Sequence, residues 1–187
     1  MAKNIELELR SFVSDKKYLE LLDYYKNSSK LLKASRQITY YLDTQIDTRI
    51  QISSNGGKVW QKLGNLHDES REEIEIVMDN KEALRLLKIF NNIGYDVQVA
   101  WYRSRKLFEH KDFDVALDDT VGYGKIFEVE RRVDSKELEK YRKKLRSYID
   151  NLGLEITPRS VFEKQYRSYL KNWKSLTKGL DEKWIQK

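Results

Sequence analysis

Apolar and charged residues alternate strictly over Ile5-Glu6-Leu7-Glu8-Leu9-Arg10, close to the start of the chain. Period two puts Ile5, Leu7 and Leu9 on one face of a strand and Glu6, Glu8 and Arg10 on the other. Similar alternation predicts strands over 4–13, 37–43, 47–53, 58–63, 71–78, 96–108, 113–119 and 124–132. Asn55-Gly56-Gly57 supplies a hairpin turn between the third and fourth. Helical spacing takes over in four places. Ser14 caps a helix expected over about 15–33, with Tyr18, Leu21, Leu22 and Tyr25 on one face. Asp79 and Glu82 form a capping box for a helix over 80–93 that stops at Gly94. Asp134 and Glu137 predict a second box, for a helix over 135–152 ending at Gly153. Thr157-Pro158 opens a last helix over 158–176, whose Phe162, Tyr166, Tyr169 and Trp173 share an apolar side.

Eight strands joined mostly by hairpins are enough to close an antiparallel barrel, so the expected class is α+β, mainly antiparallel β, with flanking helices. The strand faces differ sharply. One carries Ile5/Leu7/Leu9, Ile50/Ile52, Ile74/Ile76/Met78 and Phe127/Val129. The other carries Glu6, Glu8 and Arg10, then Arg49 and Gln51, Lys58 and Lys62, and Arg71, Glu73 and Glu75. It continues with Arg103 and Arg105, Asp118, and finally Glu128, Glu130 and Arg132. An ordinary half-buried sheet also has a charged outer face, and for a single strand that explanation is preferred. Such a face accepts Thr, Ser and Gln freely, however, whereas nearly every slot here is acid or base in short segregated blocks. Turned inward, the same face makes a tunnel that needs water, cations and a polyanion to be tolerable.

Composition narrows the chemistry. A chain of 187 residues suits a single domain, 1–187, with helices from about 135 onward packed on it. It has no cysteine, hence no thiolate metal site, and only His67 and His110 as imidazoles, which argues against a His-rich zinc or iron site. Carboxylate ligands point to Mg²⁺, Mn²⁺ or Ca²⁺. Both histidines fall in loop-like stretches and are read as surface residues. A net charge of +6 suggests an anionic partner without choosing one. The basic run Lys140–Arg146, interleaved with Tyr141 and Leu145, reads as a solvated helix face, which makes nucleic acid an unlikely partner. No apolar run of 18 residues and no leader-like segment stand out, so a cytoplasmic protein without a membrane span is expected.

IELELR, YLDT (41–44), TRI (48–50), QKLG (61–64), REEIE (71–75), RSR (103–105) and LDDTVGYGKIFEVE (117–130) follow one another in a known order. The chain thereby resembles the CYTH superfamily, the triphosphate tunnel metalloenzymes. That group includes class IV adenylate cyclases, thiamine triphosphatases, inorganic triphosphatases and fungal-type RNA 5′-triphosphatases. The likeness spans about 4–131 and continues at Pro158-Arg159-Ser160. It implies metal binding by Glu6, Glu8, Glu73, Glu75, Asp118, Glu128 and Glu130. It implies triphosphate binding by Arg10, Arg49, Lys62, Arg71, Arg103 and Arg105, and where Gln51 replaces a usual second arginine one contact is either lost or moved to Lys58. Glu6, Glu8, Arg10 and Lys62 are the expected catalytic group. Arg10 and Arg103 stand where lysine is usual, which changes reach and hydrogen-bond geometry.

The implied activity is metal-dependent hydrolysis of the terminal phosphate of tripolyphosphate or a small organic or nucleoside triphosphate. Mg²⁺ or Mn²⁺ would be the cofactor and Ca²⁺ an inhibitor. The alternative is a class IV-like adenylate cyclase that makes cyclic AMP and pyrophosphate from ATP. A non-enzymatic polyphosphate binder is a third reading, which the complete carboxylate set argues against. The sequence leaves open monomer or homodimer.

Overall fold

The computed structural model describes residues 5–64 and 69–186. Eight strands close into a barrel: β1 (Ile5–Val13), β2 (Lys30–Leu42), β3 (Asp47–Ser53), β4 (Gly57–Leu63), β5 (Ser70–Met78), β6 (Val97–His110), β7 (Phe113–Thr120) and β8 (Gly124–Val133). Around the barrel they run β1-β5-β4-β3-β2-β6-β7-β8, every neighbouring pair antiparallel. Helices α1 (Asp15–Ser28), α2 (Asn80–Asn92), α3 (Leu138–Asn151) and α4 (Arg159–Leu176) pack outside. Among the described residues no helix is long and apolar enough to cross a membrane.

Alternation decides which way each strand faces. Leu7 and Leu9 of β1, Phe127 and Val129 of β8 and Leu117 of β7 point outward and pack with Leu145 and Ile149 of α3 and Leu21 and Tyr25 of α1. Ile50 and Ile52 of β3 share a second cluster with Ala83 of α2. A third gathers Tyr123 and Ile126 under Phe162 and Tyr169 of α4. Each fully buried Leu, Ile or Phe contributes roughly 1.5–3 kcal/mol, so the outward aliphatic face supplies the driving force. The inward face is left to carry charge. On β5 the orientation is as expected but the cover is missing, since Ile74 and Ile76 are more than half exposed.

Two glycines let helices sit close to the barrel. A Cβ on Gly57 would lie 2.7 Å from the Ala83 Cβ, where α2 crosses the β3–β4 turn. At Gly122, with φ +73°, a Cβ would meet Leu176 at 2.7 Å, where the end of α4 covers the β7–β8 turn.

Three expectations change. The first helix stops at Ser28, and residues expected to be helical up to 33 begin β2. β6 runs on to His110, and its free edge offers Lys30–Ala34 a ladder, with a bulge between Leu31 and Lys33. The box at Asp134 and Glu137 does not form: the Asp134 side chain makes no capping hydrogen bond, a 3₁₀ turn occupies Ser135–Glu137, and α3 starts at Leu138. His110 is no surface loop residue. It ends β6, is buried, and places Nδ1 2.6 Å from the Ser29 hydroxyl. His67 lies outside the described residues. The box at Asp79 and Glu82 and the Ser14 cap are both present.

Candidate active site

The barrel encloses a cavity of about 400 Å³. Every carboxylate expected at the site lines it: Glu6 and Glu8 from β1, Glu73 and Glu75 from β5, Asp118 from β7, and Glu128 and Glu130 from β8. So does every expected cation: Arg10 from β1, Arg49 from β3, Lys58 and Lys62 from β4, Arg71 from β5, and Arg103 and Arg105 from β6. The register explains how residues remote in sequence meet. Glu8 pairs with Glu130 and Arg10 with Glu128 across β1–β8, Lys62 with Glu73 across β4–β5, and Arg105 with Asp118 across β6–β7.

The carboxylates fall into two groups. Glu6, Glu8 and Glu130 each present an oxygen within 4.8 Å of the others, a spacing that could hold a metal ion. Lys62 is their nearest ammonium. It is bonded to Glu6 and stands 3.7 Å from both Glu8 and Glu73. The second group is Asp118 and Glu128, tied by arginine forks. Arg105 donates to Asp118 at 3.1 Å and Glu128 at 2.9 Å and reaches Glu130 at 3.4 Å, while Arg103 donates to Asp118 at 2.9 Å. Glu75 is paired with Lys58 at 2.6 Å, so the lysine expected to replace a phosphate contact has a carboxylate partner.

Protonation follows this division. Burial pushes the Glu130 carboxyl well above the ordinary carboxylate value, with Glu128 and Glu6 adding like charge against Arg105. Burial opposes ionisation of Glu8 too, but Lys62 and Arg10 outweigh it and hold this carboxyl below its usual value. Glu128 is likewise held low against burial, chiefly by Arg105, whereas burial prevails at Asp118 and raises it. The Lys62 ammonium would be discouraged by burial, yet Glu8 and Glu6 push its pKa up.

The donor set fits a hard divalent cation. It is all oxygen, and the buried Glu73 Oε2 and Asp118 Oδ1 have no hydrogen-bond partner. Glu6, Glu8 and Glu130 would hold it. All seven carboxylates are paired with Lys or Arg side chains, so a cation at these three would take the place of Lys62 at Glu6 and Glu8 and of Arg105 at Glu130.

Several lining residues escaped the sequence reading. Ser35 and Gln37 of β2 turn a neutral polar face inward beside Gln51, with Thr39 bonded to it. The Gln37 carbonyl accepts from Arg103 Nε and Nη2 at 3.2 and 3.0 Å and from Gln51 at 3.1 Å. Tyr41, Trp60, Trp101, Tyr123 and Tyr166 also line the cavity, and Arg49 rests 4.2 Å above the Tyr41 ring. Asp47, two residues before Arg49, binds two arginines. Its place in the 47, 49, 51 alternation was the available signal. Tyr166 packs against the third cluster, as its place on the apolar side of the last helix predicts, and also lines the cavity, while Phe162 and Tyr169 are buried as expected.

No protein-family model matches the sequence. A curated protein of Methanocaldococcus jannaschii named "Putative adenylate cyclase" is 25% identical over 175 residues, spanning 87% of this chain and 96% of its own. Among solved structures, a conserved hypothetical protein of Pyrococcus furiosus superposes with TM-score 0.72 at 18% identity, covering 82% of this chain and 96% of its own. A Hippeastrum protein called a "Putative adenylyl cyclase", with a dominant triphosphatase activity, superposes with TM-score 0.63 at 18% identity, covering 88% and 96%. With its closed eight-stranded barrel and these relatives, the chain fits the CYTH superfamily of triphosphate tunnel proteins.

Proposed function

We propose that this chain is a metal-dependent triphosphatase that releases the terminal phosphate of tripolyphosphate or a small organic triphosphate inside its tunnel. One observation carries the reading: Glu6, Glu8 and Glu130 converge beside Lys62 in a cavity whose other walls bear Arg10, Arg49, Arg71, Arg103 and Arg105. Three linked phosphates bring about four negative charges, which such a set can neutralise. Mg²⁺ or Mn²⁺ at the three glutamates would polarise phosphate oxygens and lower the charge that builds on them.

The side chains do the rest. Lys62, kept protonated by Glu8 and Glu6, can turn from those carboxylates to a phosphate oxygen. Arg49 and Arg71, from β3 and β5, and Arg103 and Arg105, from β6, would meet the anion from different strands of the barrel and hold it in place for displacement. Glu8, held ionised, can accept a hydrogen bond from the attacking water. No covalent nucleophile is called for.

Cyclase chemistry is the second reading. It draws on the M. jannaschii relative's name and on the aromatic lining of the cavity, where Tyr41, Trp101 and Tyr166 could pack against a base. The Hippeastrum neighbour joins both readings in one protein. Incubating the protein with tripolyphosphate, ATP or thiamine triphosphate under Mg²⁺ or Mn²⁺ and resolving the products decides between them. Phosphate from tripolyphosphate supports hydrolysis. Cyclic AMP and pyrophosphate from ATP, with tripolyphosphate untouched, supports the cyclase.

A further inference from the structure

Asp47 opens β3 on its lumen-facing series and is largely covered by the two arginines it binds. Arg49 donates to it in fork geometry, Nε to Oδ1 at 2.7 Å and Nη2 to Oδ2 at 2.5 Å. Arg71 Nη1 donates to the same Oδ2 at 2.7 Å. Arg49 comes from β3 and Arg71 from β5, with β4 between them, so one carboxylate ties guanidinium groups across three strands. Both arginines are buried. The rings of Tyr41 and Trp60, 4.2 and 5.8 Å from the Arg49 carbon, restrict that side chain further.

The donors can be counted. A guanidinium has five N–H bonds. Asp47 uses two from Arg49 and one from Arg71, leaving the remaining donors of both groups to an anion in the cavity. A carboxylate behind the pair removes one of its two charges, and it also removes most of the rotational freedom that a ligand would otherwise have to freeze.

We propose that Asp47 is a positioning residue, one that fuses Arg49 and Arg71 into a single preoriented anion clamp. This rests on the triphosphatase reading of the tunnel. Asp47 touches no substrate. It acts through the two arginines, and because the clamp is set before the ligand arrives, its benefit falls mainly on turnover. Nothing in the lost charge alone would predict that: removing a negative group beside a phosphate site should tighten ground-state binding.

The test compares wild type with Asp47→Asn, Asp47→Glu, Arg49→Ala and the Asp47→Asn/Arg49→Ala double variant, with Mn²⁺ and tripolyphosphate. Turnover is measured beside tripolyphosphate affinity by calorimetry. Asp47→Asn is expected to lower kcat at least about tenfold while KM changes less than about threefold. Asp47→Glu should recover part of the loss. In the Arg49→Ala background the same Asn change should cost much less, because its target is gone. Equal kcat in Asp47→Asn and wild type, or an undiminished loss in the Arg49→Ala background, overturns the proposal and leaves the triphosphatase reading standing. If wild type binds tripolyphosphate without cleaving it, the triphosphatase reading fails alone, and the role of Asp47 is decided by affinity. It survives if Asp47→Asn fails to tighten binding in the wild-type background, where loss of the clamp offsets loss of the charge, but tightens it in Arg49→Ala, and falls otherwise. A wild type that neither binds nor cleaves tripolyphosphate overturns both.

Discussion

The two carboxylate groups of the tunnel are built from the same strand chemistry and behave differently. Asp118 and Glu128 are held by the forks of Arg103 and Arg105, planar groups whose several donors fix geometry. Glu6 and Glu8 share one ammonium, Lys62, on a flexible stem, and Glu130 joins them at ligand distance. An ammonium can leave a carboxylate for a phosphate at small geometric cost. A guanidinium bonded to two carboxylates stays with them and meets an anion only with the donors it has left. Glu6, Glu8 and Glu130 are therefore suited to exchange partners during a reaction, and Asp118 and Glu128 to hold the barrel's interior together.

The sharpest way to break that distinction is to remove one charge from each group. Glu8→Gln should lower turnover about a hundredfold or more and raise the Mn²⁺ concentration needed for half-maximal rate, with little change in melting temperature. Calorimetric titration of Mn²⁺ into both proteins checks the cause independently of turnover. A Glu8→Gln variant with parental Mn²⁺ affinity and rate would put the metal elsewhere.

Arg105→Ala tests the structural group. Asp118 and Glu128 are buried, and loss of their shared partner strips Glu128 of its closest counterion and leaves Asp118 with Arg103 alone. Breaking a buried pair from one side typically costs about 3–5 kcal/mol, so denaturant unfolding should show a loss on that scale. Lys62→Ala should cost less stability while still lowering activity, since Glu130 is already inclined to be neutral and can relieve the remaining repulsion. Similar stability losses for the two variants would erase the difference between the groups.

Much of this was legible in the sequence because a period of two is hard to mistake. Glu6/Glu8/Arg10 and Glu128/Glu130 each declare their shared face within a few residues, and closure of the barrel then fixes their company. What stayed hidden had weaker local signals. Lys30–Ala34 was extended by pairing with β6, a partner some 75 residues later, whereas the local pattern simply prolonged α1. Gln37 and Thr39 look like the neutral residues of any exposed strand, and only the closed lumen makes them buried partners of Arg103 and Gln51. Ile74 and Ile76 followed the pattern but lie beyond the helical cover, because burial depends on what packs outside and not on alternation.

A third prediction concerns acid. Burial would raise the Asp47 carboxyl, but Arg49 and then Arg71 hold it below its ordinary value of 3.8. A depressed carboxyl binds its proton less readily folded than unfolded. Its contribution to stability is present above pH 3.8 and declines as pH falls toward the folded value. Unfolding free energy measured from pH 6 downward should therefore fall less steeply in Asp47→Asn than in wild type. An unchanged acid limb would mean that the Asp47–arginine contacts contribute nothing net.

The smallest expected effect lies outside the tunnel, where burial acts on a neutral group. His110 packs among Tyr24, Tyr25 and Tyr148, with Nδ1 at the Ser29 hydroxyl. Burial, reinforced by Lys111, lowers its pKa from 6.5. The unfolded chain thus takes up a proton more readily than the folded one as pH falls through 6.5, and stability declines over that window until the folded histidine titrates as well. Glu6 and Glu8 gain from a partner of opposite sign, whereas His110 is stable only as long as it stays uncharged. His110→Gln, which cannot take up that proton, should flatten the pH dependence of unfolding just below 6.5 and leave turnover at neutral pH as it was. A changed rate in this variant would mean that the outer wall of β6 communicates with the lumen, and the separation between structural shell and reactive interior would have to be redrawn.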